Sequence, residues 1–388
     1  MYIEREIQQK FAKVRDIYNI TALVGARQSG KTTFLKEESK KYKVNYITFD
    51  DPDVTFLFEE DIKKFERQYI EGYELSILDE IQYCKDSGSK LKYLADKGRK
   101  FWITSSSEVI LGKEVLSYLV GRATILKMYP FSLDEFLRAK QQKELTMDIL
   151  KRIIWEHAVF GGYPKVILTE DIELKKTILK DLYELMILKD VAKVFSINDS
   201  KNLELFSRYL AINTGSLVSY DTLSNDLKIS FETIKKYLDA FEKSYMIQRV
   251  TPFFTNRAKE IVKQPKIYFI DTGLRNIIAK SSEITGSMFE NYVFSEIIKA
   301  GFIPKYWRTK SKAEVDFIVE KENIVIPIEV KLKANSVESS LRSFIEKYNP
   351  EKAIIVTYEG VKFEKYIGKC KVIFTDALNL IKLLTSRN

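Results

Sequence analysis

Ile20-Thr21-Ala22-Leu23-Val24-Gly25-Ala26-Arg27-Gln28-Ser29-Gly30-Lys31-Thr32-Thr33 joins a short apolar β-prone run to a glycine-bounded loop and then to a helical pattern. The spacing is G-x-x-x-x-G-K-[ST] between a strand and a helix. Its glycines let backbone N–H groups turn inward around phosphate oxygens, and the helix N-terminus adds partial positive charge. Lys31 supplies a point charge to the β- and γ-phosphates, and Thr32 places a hydroxyl on Mg²⁺. Residues 25 to 33 are thus the expected nucleotide cradle, with ATP and Mg²⁺ as cofactors.

The remaining metal ligand is sought at a second strand end. Leu75-Ser76-Ile77-Leu78-Asp79-Glu80 is an apolar run closed by two acids, at the edge where parallel sheets bind ligands. Asp79 is expected to hold Mg²⁺ through water, and Glu80 to orient or deprotonate the attacking water. Val44 to Phe49 reads as another parallel strand. Phe101 to Thr104 ends in Ser105-Ser106-Ser107, from which Ser106 is expected to meet the γ-phosphate or the water. Gly121-Arg122 precedes a strand from Ala123 to Met128. Arg122 reads either as an arginine finger, for its own or a neighbouring subunit, or as a surface arginine. Arg27 is a candidate contact for phosphate or for a neighbouring carboxylate.

From about 134 to 200 helical spacing dominates, interrupted at Gly161-Gly162-Tyr163-Pro164. From Leu203 the pattern runs Glu204–Ile212, Tyr220–Leu227, Ser230–Ser244 and then β-prone Met246–Phe254, the order of a winged helix-turn-helix. Ser230 can cap the third helix, leaving Thr233, Lys235 and Lys236 to face a DNA groove. Residues 201–270 carry eleven Lys/Arg against seven Asp/Glu. That excess permits DNA binding, and a protein partner is equally compatible with it.

After Lys266 to Asp271 the chain reads as an α/β module: helix Gly286–Ala300, strands Ile303–Arg308, Glu314–Val319 and Ile324–Lys331, helix Val337–Tyr348 and strand Ala353–Val356. Period-2 alternation puts Glu329 and Lys331 on one face, and Asp316 can lie opposite on the neighbouring strand. Two carboxylates with a lysine can hold Mg²⁺ against a scissile phosphate. Glu290 is a candidate additional ligand. The same residues also suit a binding or structural descendant of a nuclease.

The 388-residue length and 45% hydrophobic composition fit several cores, and three segments are expected: 1–139, 140–262 and 263–388. No apolar run reaches the roughly 18 residues a membrane helix needs, and the charged N-terminus differs from a secretory signal, so a cytoplasmic protein without membrane partners is expected. Cys84, Cys370 and the single histidine, His157, lack metal-ligand or nucleophile spacing. The net charge of +9 favours a polyanion, double-stranded DNA among them.

The succession GARQSGKTT (25–33), ILDEIQ (77–82), ITSSS (103–107), LVGRA (119–123), YPFSLDEF (129–136), GGYP (161–164), IYFIDTGLR (267–275), EVDFIV (314–319) and IEVK (328–331) resembles a family of archaeal and bacterial AAA-type ATPases with a C-terminal domain of unknown function. The resemblance spans nearly the whole chain. It implies an additional-strand P-loop core with a parallel sheet, a helical connector, a winged helix and a restriction-endonuclease-like α/β domain, and it raises ring assembly as a homo-oligomer. One departure stands at Ser105, where the family commonly has glycine. Two functions follow: ATP hydrolysis coupled to work on DNA, or a nucleotide-controlled protein-interaction switch with an inactive nuclease-like domain.

Overall fold

The computed structural model describes residues 2–107, 119–254, 264–322 and 324–386. The chain divides into two compact units, Met1–Pro130 with Lys243–Tyr245, and Phe131–Glu242 with Met246–Asn388.

In the first unit, strands β1 (Ile20–Val24), β2 (Val44–Thr48), β3 (Leu75–Asp79), β4 (Phe101–Ser105) and β5 (Ala123–Lys127) alternate with helices α1 (Gln8–Val14), α2 (Lys31–Glu38), α3 (Pro52–Glu60), α4 (Ile62–Phe65) and α5 (Ser87–Asp96). The sheet is wholly parallel in the order β2-β3-β4-β1-β5, so β4 is inserted between β1 and β3. Strands β1, β3 and β4 are buried on both faces, which is why they read as continuous apolar runs. Leu23, Phe34, Leu75 and Trp102 form the core of this unit, with Phe11 set edge-on to Trp102 at 4.9 Å between ring centroids.

The loop after β1 passes so close to the end of β5 that a Cβ on Gly25 would lie 1.9 Å from the Met128 carbonyl oxygen. Only glycine fits there. Gly30 caps α2 at φ 98°, a left-handed conformation that aims the first helical N–H groups into the loop.

In the second unit, α6 (Leu133–Ala139), α7 (Met147–Phe160), α8 (Pro164–Ile167) and α9 (Ile172–Leu185) precede α10 (Ser200–Ile212), α11 (Tyr220–Leu227) and α12 (Phe231–Lys243). The expected break at Gly161–Pro164 separates α7 from α8. His157 on α7 is buried between Tyr292 and the Phe131 carbonyl, at 3.0 and 3.1 Å. Since a carbonyl only accepts, Nε2 carries the proton and Nδ1 accepts from the Tyr292 hydroxyl. Burial, then the Lys299 charge, hold this imidazole well below its usual pKa.

Strand β6 (Ile247–Val250) pairs antiparallel with β7 (Lys266–Phe269), and Leu217 bridges Lys266 on the other side. The order is therefore α10, bridge, α11, α12, β6, β7. The sequence reading puts Lys266–Phe269 at the head of the C-terminal module, whereas its backbone partners lie in the preceding segment.

Helices α13 (Thr272–Ala279), α14 (Gly286–Lys299), α15 (Ser339–Tyr348) and α16 (Ala377–Thr385) accompany a six-stranded sheet of β8 (Lys305–Arg308), β9 (Glu314–Lys321), β10 (Ile324–Lys331), β11 (Lys352–Thr357), β12 (Phe363–Ile367) and β13 (Cys370–Thr375). Its order is β12-β13-β11-β10-β9-β8, with β8, β10, β11 and β13 running one way and β9 and β12 reversed. Strands β12 and β13 and helix α16 extend the module beyond the strand expected at 353–356. Cys84 and Cys370 are buried and unbridged. No helix among the described residues is long and apolar enough to cross a membrane.

Candidate nucleotide site and a second acidic site

The parallel register brings the loop 25–30, Asp79, Glu80 and the serines after β4 to one edge of the first sheet. Lys31 is buried, and its amine donates to the carbonyls of Gly25 and Ala26, both at 2.9 Å. Ser29 Oγ is buried in the same loop with no hydrogen-bond partner. Gln28 holds φ 59° and Thr33 is exposed on α2.

Asp79 is the centre of the polar constellation. Its carboxylate accepts from Thr32 Oγ1 at 3.0 and 3.1 Å, and from the hydroxyls of Tyr46 and Thr104. Burial, then the Asp79 carboxylate itself, push the Tyr46 phenol well above its usual pKa, so it stays a donor. Sequence reasoning passed over Tyr46 and Thr104. Thr104 carries a signal in retrospect, as the polar residue closing an apolar parallel strand at this same edge.

Glu80 leaves β3 in a left-handed conformation at φ 60°, which turns its side chain toward the end of β4. Its N–H donates to Thr104 Oγ1 at 3.0 Å. The carboxylate accepts from Ser106 Oγ at 3.2 Å and from Gln82 Nε2, which also donates to Ser106 Oγ at 3.0 Å. Ser106 thus touches Glu80, the acid expected to act on the attacking water. Ser105 turns the backbone here: its hydroxyl accepts from Ser107 N at 3.1 Å and donates to Ser107 O at 2.7 Å. Arg27 donates to the Tyr83 hydroxyl at 3.0 Å.

Arg122 is not brought to this constellation in its own chain. Its carbonyl accepts from Ile20 N at 3.0 Å, at the start of β1, while the phosphate loop follows the end of β1. Five strand residues separate the two edges, about 16 Å at roughly 3.3 Å each. Its guanidinium pairs instead with Asp96 at 2.5 Å on the surface. Gly-Arg before a strand marks the opposite edge from the one that an arginine finger in cis requires.

The residues present fit a nucleotide with a divalent cation. Thr32 and Asp79 offer hard oxygens side by side, the loop and α2 offer N–H donors, and Ser29 leaves an unused hydroxyl.

In the second unit, Asp316 on β9 lies beside Glu329 on β10, next to the Ile328–Phe317 pair. Asp316 accepts from Val330 N at 2.7 Å, and Glu329 pairs with Lys331 at 3.0 Å. Glu329 Oε2 is buried without a partner. Burial, reinforced by Glu290 and by the other acid, raises the Asp316 pKa well above the carboxylate range, and burial raises that of Glu329 against the pull of Lys331. Glu290 accepts from Lys266 at 3.1 Å and from the Tyr268 hydroxyl. Lys266, buried on β7, also pairs with Glu314 at 2.6 Å. Among the described residues no three His, Cys, Asp or Glu side chains converge as a metal-holding group.

The sheet order, loop and paired acids resemble those of P-loop ATPases, and residues 18–137 match the AAA domain family. Residues 151–284 and 285–375 match two domains of unknown function, DUF8612 and DUF4143. An uncharacterized protein of Haemophilus influenzae is 26% identical over 83% of this chain and 84% of its own length. One of Methanocaldococcus jannaschii is 28% identical over 94% of this chain and 86% of its own. Among solved structures, a Walker-type ATPase of Pyrococcus abyssi is similar at TM-score 0.49 and 16% identity, over 71% of this chain and 96% of that one.

Proposed function

We propose that this protein binds and hydrolyses ATP with Mg²⁺ and uses the cycle to act on double-stranded DNA. The observation that carries the hydrolysis is the linked pair Thr32–Asp79 and Glu80–Ser106 at one sheet edge. Lys31 leaves the Gly25 and Ala26 carbonyls to meet the β- and γ-phosphates. Thr32 and Asp79 would hold Mg²⁺, which supplies charge neutralisation on the phosphate oxygens when bound. Glu80, fixed by Ser106 and Gln82, orients the attacking water and accepts its proton.

The DNA assignment rests on the succession α10, Leu217 bridge, α11, α12, β6, β7, which is the order of a winged helix. Lys235 and Lys236 are exposed on α12, whose start is capped by Ser230 Oγ accepting from Thr233 N at 3.2 Å. A narrower reading, metal-dependent phosphodiester cleavage by Asp316, Glu329 and Lys331, is favoured by the unpartnered Glu329 Oε2. A ring-forming homo-oligomer and a cytoplasmic location complete the proposal.

The test is ATP turnover with Mg²⁺, with and without duplex DNA, using Lys31→Ala as the blank. A Lys31-dependent rate raised several-fold by DNA supports the reading. Turnover indifferent to DNA replaces it with a switch directed at a protein partner, and absent turnover removes the enzyme.

A further inference from the structure

The second unit contains an open groove of about 910 Å³, near the upper end of the roughly 300–1,000 Å³ that ligand sites span. Its floor is fixed by backbone pairing: Phe253 N donates to Tyr306 O at 2.6 Å and Tyr306 N to Thr251 O at 3.1 Å. Pro252 and Phe254 line it after β6, and Tyr306, Trp307, Arg308 and Lys310 line it along and after β8.

The last wall comes from α15. Lys347 is exposed there and Tyr348 half-buried, with the Lys347 amine 5.1 Å from the Tyr348 ring centroid and 6.0 Å from that of Trp307. A cation over aromatic faces marks where a flat ring can exchange for it. Among the described residues that line it, three side chains are cationic and none is acidic, so the groove suits an anion. Arg308 reaches Glu314 at 3.3 Å, and Glu314 stands two residues from Asp316 on the same face of β9. Arg308 thus links the groove to the strand that carries Asp316.

We propose that this groove binds a single strand of nucleic acid. Lys310, Lys347 and Arg308 draw its phosphates, and Tyr348 and Phe254 stack its bases. The occupant is a single strand because duplex bases are already stacked on one another, which hides the faces that aromatic walls reward. The inference rests on the nucleic-acid reading above but uses none of its α12 residues, so the two fail separately.

The experiment is fluorescence anisotropy of fluorescein-labelled oligo-dT, and of a duplex of equal length, titrated with the full chain over a range of salt. Lys310→Ala/Lys347→Ala, which keeps the melting temperature, should weaken oligo-dT binding about tenfold or more. It should also flatten the log K against log salt slope by about 1.4, at roughly 0.7 per single-strand phosphate contact. Tyr348→Leu should cost about tenfold with the slope unchanged. Lys235→Ala/Lys236→Ala should bind oligo-dT as the wild type does, whatever happens to the duplex. The proposal is overturned if the wild type does not bind oligo-dT, if the groove variants bind it normally, or if polyglutamate competes as well as unlabelled oligo-dT.

Discussion

The hydroxyl of Thr32 sits 3.0 Å from one carboxylate oxygen of Asp79 and 3.1 Å from the other, joining the first turn of α2 to the end of β3. Thr32 and Asp79 would hold Mg²⁺ at this edge, so Thr32→Ala should weaken ATP binding in Mg²⁺ by roughly tenfold, the scale of a lost charge-assisted contact. Affinity measured in EDTA should be unchanged. Equal losses in both titrations would assign the hydroxyl to the fold of the loop instead.

Glu80→Gln should keep ATP affinity within about twofold and lower kcat by roughly a hundredfold or more, the usual weight of a positioned base. Ser106→Ala leaves the carboxylate in place with one donor fewer, so a smaller fall in kcat with an unchanged KM is expected. Steady-state turnover with a coupled phosphate assay separates the two, and wild-type kcat in Glu80→Gln removes Glu80 from its role.

Arg122→Ala should leave ATP turnover within about twofold, because its guanidinium faces Asp96 at the far edge of the sheet. Loss of this exposed pair should cost about 0–1 kcal/mol of stability. A large fall in turnover that scales with protein concentration would show that Arg122 serves a neighbouring copy.

Stability should fall on acidification through His157. Its folded-state pKa is depressed, so the folded protein keeps the imidazole neutral while the unfolded chain takes up a proton below about pH 6.5. The neutral ring's contribution is thus complete above that pH and is lost below it by up to about 1.4 kcal/mol per pH unit, until the folded pKa is reached. Urea unfolding at pH 7.5 and 5.5 measures the slope, and His157→Gln should flatten it. A variant retaining the wild-type slope would place the titration elsewhere.

The first unit was the more legible in sequence because its signals are local. Strand, loop and α2 are contiguous from Ile20 to Glu38, and β3 ends on its own acids. Tyr46 and Thr104 escaped notice because they reach Asp79 only through the order β2-β3-β4, which no short stretch encodes. Arg122 stayed open between two readings for the converse reason: a Gly-Arg turn looks alike at either end of a parallel strand, and only register tells the ends apart. In the second unit β12 was hidden by its surface position, since Glu364, Lys365 and Tyr366 are all exposed and no apolar run marks the strand. Asp316, Glu329 and Lys331 were correctly read as neighbours from strand alternation. The capture of Glu290 depends on a lysine 24 residues upstream, beyond any local pattern.

Lys266 also bears on where this polypeptide can be cut. It rides on β7, whose backbone belongs with β6 and Leu217, yet its ammonium neutralises Glu290 and Glu314 of the following module. A recombinant fragment beginning after β7 would leave those carboxylates facing one another without their lysine. The C-terminal module should therefore be produced with β7 and its pairing strand, and shorter fragments should be less stable at neutral pH.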